Sequence, residues 1–253
     1  MIDSDIELAR RAIALLDLTD LTDDASVEGI DHLCERAARH GTAAVCVWPD
    51  FVAQSVAALN GTNVLVATVV NFPSGDDRAH AVRVLTDCAL DDGADEIDVV
   101  LPYRAWLAGD ERRAADVIDG VRDAAREARM KVILETGALP DIGSIERAAR
   151  FAIDHGADFI KTSTGKIQVS ATPEAAETML RVIAATDRPV GIKPSGGIRT
   201  IADAAQYLAL ADEIMGPGWA TPATFRFGAS GVLDALVAAL DGRVLEPADS
   251  SSY

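Results

Sequence analysis

The sequence has 253 residues, 49% hydrophobic and 25% charged, and so contains enough apolar residues for a full core. This length suits one large α/β barrel domain or two smaller domains. The formal net charge of −17 excludes a protein that binds nucleic acid by neutralising phosphates over a broad surface. There is no apolar run of about eighteen residues, and the acidic first residues lack an apolar core. The sequence therefore predicts neither a membrane span nor a secretory signal.

Cysteines and histidines give no sign of a metal or disulfide framework. Cys34, Cys46 and Cys88 form no CxxC pair, and the four histidines are not spaced as ligands on one helix or strand. We therefore expect no metal, no cofactor of that kind and a reducing, cytoplasmic location. Cys46 shares one strand face with Ala44 and Trp48, and the sequence leaves open whether that face points into the protein's centre.

Arginine residues far outnumber lysine residues. Only four lysines occur among the 23 basic residues, whereas aspartate and glutamate total 40. An acidic excess with few lysines is typical of a protein kept soluble at high salt by surface carboxylates. A GC-rich genome is the alternative, since its codons also favour arginine, alanine and aspartate.

Helical periodicity and short β-branched runs alternate along the chain after a predicted N-terminal helix over residues 6–15. Predicted strands cover residues 15–19, 43–48, 64–70, 96–101, 132–136, 159–163, 190–194 and 225–229. Predicted helices between them include residues 110–129, 172–185, 201–210 and 232–240, with Thr172 and Thr200 as N-caps. Eight such repeats predict a (β/α)8 TIM barrel with an extra N-terminal helix. A doubly wound open sheet is the alternative, but the first predicted strand is not followed by a glycine-rich turn.

The composition shows no break before about Arg243. The sequence therefore predicts a single barrel domain over residues 1–253, with a flexible tail at residues 243–253 that is rich in serine.

Three charged residues interrupt apolar strands. Asp98 lies in the fourth predicted strand, Lys161 in the sixth and Lys193 in the seventh. An unpaired buried ammonium costs several kcal/mol, so folding alone would not place a lysine there. Two ammonium groups held close together lower an amine's pKa, and a neutral amine attacks carbonyls. The pattern predicts a Schiff-base enzyme in which the carboxylate moves protons through a water.

Glycines follow the last three predicted strands. Gly196 and Gly197 come after the seventh strand, Gly228 and Ser230 lie at the end of the eighth, and Gly165 with Lys166 follows the sixth. Exposed backbone N–H groups and a helix N-terminus at these loops predict a phosphate site.

At these residues the chain resembles the deoxyribose-phosphate aldolases, class I aldolases that join acetaldehyde to glyceraldehyde 3-phosphate. The resemblance covers residues 16–19, 44–47, 70–75, 93–100, 159–166, 191–200 and 226–230. It implies that Lys161 forms the Schiff base, that Lys193 depresses its pKa and that Asp98 relays protons. The resemblance also assigns two groups of binding residues. Asp17, Thr19 and Thr162 would line the substrate site, and Gly165, Lys166, Gly196, Gly197, Gly228 and Ser230 would hold the phosphate.

The resemblance also implies a cytoplasmic homodimer that acts on phosphosugar and aldehyde substrates in deoxynucleoside breakdown, without a cofactor. Some relatives end in Ser-Tyr, as this chain does, which predicts that Tyr253 enters the site and assists proton transfer. Two other classes remain open. A phosphosugar isomerase would need paired acid/base carboxylates, and a non-catalytic sugar-phosphate binding module would have no use for Lys161.

Overall fold

The computed structural model describes residues 2–126 and 128–243. Its strands are β1 (Leu16–Asp20), β2 (Ala44–Val47), β3 (Leu65–Val70), β4 (Glu96–Val100), β5 (Arg129–Ile133), β6 (Phe159–Lys161), β7 (Gly191–Lys193) and β8 (Phe227–Ala229). Its helices are α1 (Ile2–Ala14), α2 (Val27–His40), α3 (Val52–Ala58), α4 (Ala79–Asp91), α5 (Tyr103–Leu107), α6 (Glu111–Ala125), α7 (Ile142–Asp154), α8 (Pro173–Ala184), α9 (Ile201–Met215) and α10 (Val232–Leu240). Short 3₁₀ turns occur at Pro49–Phe51 and Thr136–Ala138.

The eight strands form one parallel sheet in the order β7-β6-β5-β4-β3-β2-β1-β8. The sheet closes where β7 meets β8, through bridges that pair Ile192 with Phe225 and Ser195 with Gly228. The Arg226 N–H donates to the Ile192 carbonyl at 2.9 Å across this seam. The predicted (β/α)8 barrel is therefore confirmed, and α1 is the extra helix at its N-terminal end.

Helix starts follow the predicted caps. The Thr172 hydroxyl accepts the Ala175 N–H at 3.1 Å, with Pro173 at the first helical position of α8. Thr200 and Asp203 form a reciprocal capping box at the start of α9. Both caps satisfy backbone donors that would otherwise lack partners.

The fifth repeat differs from the prediction. The helix predicted over residues 110–129 ends at Ala125, and β5 begins at Arg129 instead of at residue 132. The helix stops because Arg126 has a left-handed φ of 47°, a conformation that cannot continue an α-helix. As a result Lys131 lies within the strand, in register with Asp98 of β4.

Among the residues that the structure describes, buried apolar side chains form two separate clusters. The larger one fills the space between the barrel and its helices, as expected for strands covered by helices. A smaller cluster of Leu21, Cys46, Ala67 and Val69 lies apart from it. Because Val69 is in register with Asp98, this cluster shares the face that carries the charged residues. Within the described residues, no helix is long and apolar enough to cross a membrane.

Candidate active site

Lys161 and Lys193 lie opposite each other inside the barrel. β6 and β7 pair so that the two residues are direct register partners. The Lys161 side chain is 3% exposed and that of Lys193 is fully buried. Both ammonium nitrogens contact the same oxygen, Oδ2 of Asp98, at 2.9 Å and 2.8 Å. Their separation cannot exceed the sum of these two distances, so the two positive charges lie close together.

Asp98 is surrounded by three lysines. Its second oxygen, Oδ1, accepts a hydrogen bond from Lys131 Nζ at 2.7 Å. Burial by itself would raise the pKa of Asp98, but Lys131, Lys161 and Lys193 together hold that pKa well below its usual range. Asp98 is therefore a carboxylate at neutral pH.

A second set of charges lies beneath this group. Glu96 Oε2 contacts Lys131 at 2.6 Å, and Glu96 Oε1 contacts Arg226 at 2.9 Å. Asp17 contacts Lys193 at 2.6 Å and Arg226 at 2.5 Å. We call the seven buried residues the lumen charge cluster: Asp17, Glu96, Asp98, Lys131, Lys161, Lys193 and Arg226. Four cations face three carboxylates, so the cluster has one excess positive charge when every member is ionised.

The ion pairs distinguish the three lysines. Within the described residues Lys131 pairs with three carboxylates and Lys193 with two, whereas Lys161 pairs with Asp98 alone. Burial lowers the pKa of the Lys161 amine, the charge of Lys193 lowers it further, and Asp98 only partly opposes both effects. Asp17 and Asp98 raise the pKa of Lys193 in spite of its burial. Lys161 is therefore the amine that most readily loses its proton and becomes a nucleophile.

Sequence analysis did not assign Lys131, Glu96 or Arg226 to the site. Arg226 interrupts the apolar run of the eighth predicted strand, the signal that identified Asp98, whereas Glu96 is the first residue of the fourth. Glu96 lies two positions before Asp98, so the two side chains share one face of β4. Lys131 was missed because the fifth strand was predicted to begin one residue after it.

The predicted substrate-lining residues are brought together at the same end of the barrel. Asp17 is fully buried in the lumen charge cluster, and the Thr19 hydroxyl donates to the Asp17 carbonyl at 2.8 Å. The buried Thr162 hydroxyl accepts the Ser195 N–H at 2.9 Å. Thr162 therefore ties the end of β6 to the end of β7, next to both site lysines.

The loops with the predicted phosphate glycines converge beside Lys193. Gly165, Gly196 and Gly197 have left-handed φ values of 80°, 82° and 80°, which favour glycine. A Cβ atom on Gly228 would lie 2.0 Å from the Ser195 hydroxyl and 2.9 Å from Lys193 Cε. Only glycine therefore lets the end of β8 approach β7 this closely. Ser230 is exposed just before α10, whose N-terminus has no side-chain cap.

Lys166 extends toward the loops after β1 and β2. Its Nζ lies 3.3 Å from Asp23 Oδ1 and 5.9 Å from the centroid of the Trp48 ring. A cavity of about 410 Å³ opens there, lined by residues of these two loops that include Asp23 and Trp48. Lys166 thus spans part of the barrel mouth.

Cys46 faces the lumen. It is fully buried in the small apolar cluster, and the pKa of its thiol is raised by burial. Within the described part of the chain, no three His, Cys, Asp or Glu side chains are grouped so as to hold a metal ion. The carboxylates of the lumen charge cluster are instead neutralised by ammonium and guanidinium groups.

The family model described as DeoC/LacD family aldolase matches residues 11–232 of the chain. The chain belongs to the DeoC/LacD aldolase family. The chain is 52% identical over 250 residues to the deoxyribose-phosphate aldolase of Agrobacterium fabrum. This match covers 97% of this chain and 96% of that one.

Two solved structures extend the comparison. A Coccidioides immitis protein described as a candidate deoxyribose-phosphate aldolase is 32% identical, with a TM-score of 0.82 over 90% of this chain and 85% of that one. A Toxoplasma gondii protein described in the same way is 27% identical, with a TM-score of 0.87 over 95% and 98% of the two chains. The aldolase-family barrel therefore extends over nearly all of this chain. The predicted tail after Arg243 and its Tyr253 lie outside the described residues.

Proposed function

We propose that the chain is a class I aldolase that reversibly cleaves 2-deoxy-D-ribose 5-phosphate to acetaldehyde and D-glyceraldehyde 3-phosphate. The observation that supports this most directly is the difference between the three buried lysines. Lys161 has one carboxylate partner and a lowered amine pKa, whereas Lys131 and Lys193 are held charged by several carboxylates. A reactive amine inside a barrel is the nucleophile that Schiff-base chemistry requires.

The reaction begins when the neutral Lys161 amine attacks the C1 aldehyde of the open-chain sugar. The resulting carbinolamine loses water and becomes an iminium ion. Removal of the C3 hydroxyl proton then breaks the C2–C3 bond, and the bonding electrons move toward the iminium nitrogen to form an enamine. Glyceraldehyde 3-phosphate leaves, C2 takes up a proton, and hydrolysis releases acetaldehyde and regenerates the lysine.

Asp98 is placed to move the protons. Its Oδ2 accepts a hydrogen bond from Lys161 Nζ at 2.9 Å, within reach for direct proton transfer. Because Lys131 holds the other oxygen, Oδ1, the carboxylate is fixed with Oδ2 toward the reacting carbon. Lys193 shares Oδ2 and supplies positive charge next to the amine.

The substrate's phosphate fits the glycine loops. The C5 phosphate lies at the far end of the chain from the reacting C1, and the loops with Gly165, Gly196 and Gly228 end next to the lysines. Their backbone N–H groups and the uncapped start of α10 supply donors for an anion. The phosphate therefore orients the sugar with C1 toward Lys161.

Trapping the imine tests the proposal. Borohydride added with acetaldehyde should leave an N-ethyl group on the peptide containing Lys161 and abolish activity irreversibly, whereas EDTA should leave activity unchanged. Lys161→Arg is the matched control and should form no N-ethyl adduct at position 161. An adduct only on Lys193 would exchange the roles of the two lysines. The absence of any adduct would contradict the aldolase assignment and leave the isomerase or binding-module alternatives.

We also propose that the protein works in the cytoplasm, in deoxynucleoside breakdown, as a homodimer without a cofactor. The free cysteines support a reducing location. The ion pairs of the lumen carboxylates with Lys131, Lys193 and Arg226 support the lysine chemistry. Light scattering of the purified protein measures the assembly. A monomer or a higher oligomer would contradict the dimer.

A further inference from the structure

Glu135 immediately follows β5 in an unusual backbone conformation. Its φ of 54° and ψ of 57° lie in the left-handed region, where a glutamate is strained. The side chain is fully buried, and its carboxylate makes no salt bridge within the described residues. Backbone strain and a buried, unpaired carboxylate both reduce stability, so folding alone does not account for this residue.

Both oxygens of the Glu135 carboxylate bind one residue of the neighbouring loop. Oε1 accepts the Thr164 N–H at 3.3 Å, and Oε2 accepts the Thr164 hydroxyl at 2.5 Å. The Thr164 hydroxyl oxygen in turn accepts the Lys166 N–H at 3.1 Å. Hydrogen bonds therefore fix the backbone on both sides of Gly165, the first glycine of the proposed phosphate site.

The next two residues support the same loop. The Thr136 N–H donates to the Thr162 carbonyl at 2.8 Å. At Gly137 a Cβ atom would lie only 2.0 Å from the Val169 carbonyl oxygen, so the loop rests directly on this glycine. Residues 135–137 thus support residues 162–169 at three points, and the carboxylate of Glu135 provides the polar contact nearest to Gly165.

We propose that Glu135 is a positioning residue that holds the loop of Gly165 and Lys166 in the shape that receives the substrate phosphate. The proposal rests on the proposed function for the identity of the phosphate ligand. Glu135 does this by binding Thr164, and it need not touch the substrate.

A different role would act through charge. The Glu135 carboxylate lies near enough to Lys161 for the two charges to influence each other, and burial raises the carboxyl pKa. If Glu135 tuned the amine, its removal would alter imine formation with any aldehyde. A positioning role affects only substrates that carry the phosphate.

The test compares 2-deoxyribose 5-phosphate with unphosphorylated 2-deoxyribose. Glu135→Ala and Thr164→Val should each raise the KM for the phosphorylated sugar about tenfold, the effect expected for the loss of hydrogen bonds to one charged group. The kcat/KM for 2-deoxyribose and the pH dependence of acetaldehyde trapping should change little. Thr164→Ser should restore the wild-type KM because serine keeps the hydroxyl. Glu146→Gln, an exposed glutamate on α7, is the matched control.

Binding of inorganic phosphate, measured by calorimetry, separates this proposal from the proposed function. If wild type forms no imine but Glu135→Ala still binds phosphate about tenfold more weakly, the aldolase assignment fails and the positioning role stands. Equal losses for both sugars, a shifted pH dependence of trapping, or unchanged phosphate binding in both Glu135→Ala and Thr164→Val would overturn the positioning role.

Discussion

Replacing Lys193 by Leu removes the positive charge that shares Asp98 Oδ2 with Lys161. Two ammonium groups about 5 Å apart repel each other by about 3 kcal/mol at an effective dielectric constant of about 20. Because this repulsion disfavours the protonated amine, it lowers the pKa of Lys161. Lys193→Leu should therefore raise the pKa of Lys161.

Only the neutral amine attacks the aldehyde, so the acidic limb of the pH–rate profile reports this pKa. The assay is kcat/KM for 2-deoxyribose 5-phosphate between about pH 5 and pH 9. The pH dependence of acetaldehyde trapping by cyanoborohydride provides a readout that does not require turnover. In Lys193→Leu both acidic limbs should move to higher pH.

Lys193→Arg is the matched control because it keeps the charge with a different shape. Its acidic limb should stay where wild type has it, even if the rate falls. A Lys193→Leu enzyme that is slower but has an unmoved acidic limb would refute the electrostatic reasoning. Lys193 would then act only by its position between Asp17 and Asp98.

Four further predictions concern the cluster, the surface and the tail. Lys131→Met takes from Asp98 one of its three lysine partners and from Glu96 its lysine partner, so urea unfolding should show a loss of about 2 kcal/mol, the effect of losing hydrogen bonds to charged groups, and an unchanged midpoint would contradict the pairing. The pKa values of Asp17, Glu96 and Asp98 are lower in the folded protein than in the unfolded chain. These carboxylates therefore stabilise the fold above their unfolded pKa of about 4, and this stabilisation is lost as the pH falls below that value. The melting temperature should decline accordingly, and a flat profile from about pH 6 to pH 2 would contradict this prediction. The net charge of −17 predicts that the melting temperature and the activity rise as KCl approaches molar concentration, because salt screens the self-repulsion of the acidic surface. A maximum of both at low salt would leave codon bias as the explanation of the few lysines. Tyr253→Phe should slow exchange of acetaldehyde methyl protons with solvent much more than it weakens binding, as measured by NMR, and full exchange would leave the tail without a catalytic role.

The local sequence pattern determined the barrel and three of the seven residues of the lumen charge cluster. Segments with strand periodicity and segments with helix periodicity alternate eight times along the chain. In each unit, side-chain alternation and helix capping depend on residues close together in sequence. Lys161, Lys193 and Asp98 could be recognised because each interrupts an apolar strand, where an unpaired charge is costly. The glycine loops could be placed for the same local reason, since they directly follow strand ends.

Only the tertiary structure decided which lysine is reactive and what surrounds it. Arg226 and Asp17 are 209 residues apart in sequence yet form an ion pair inside the barrel. Whether an ammonium group is held charged depends on how many carboxylates the closed sheet brings around it, and that number follows from the register of strands distant in sequence. Glu135 shows the same dependence, because its contacts with Thr164 form only once β5 and β6 lie side by side. The local sequence pattern indicates which residues are buried, whereas the balance of charges in the lumen depends on the closed barrel.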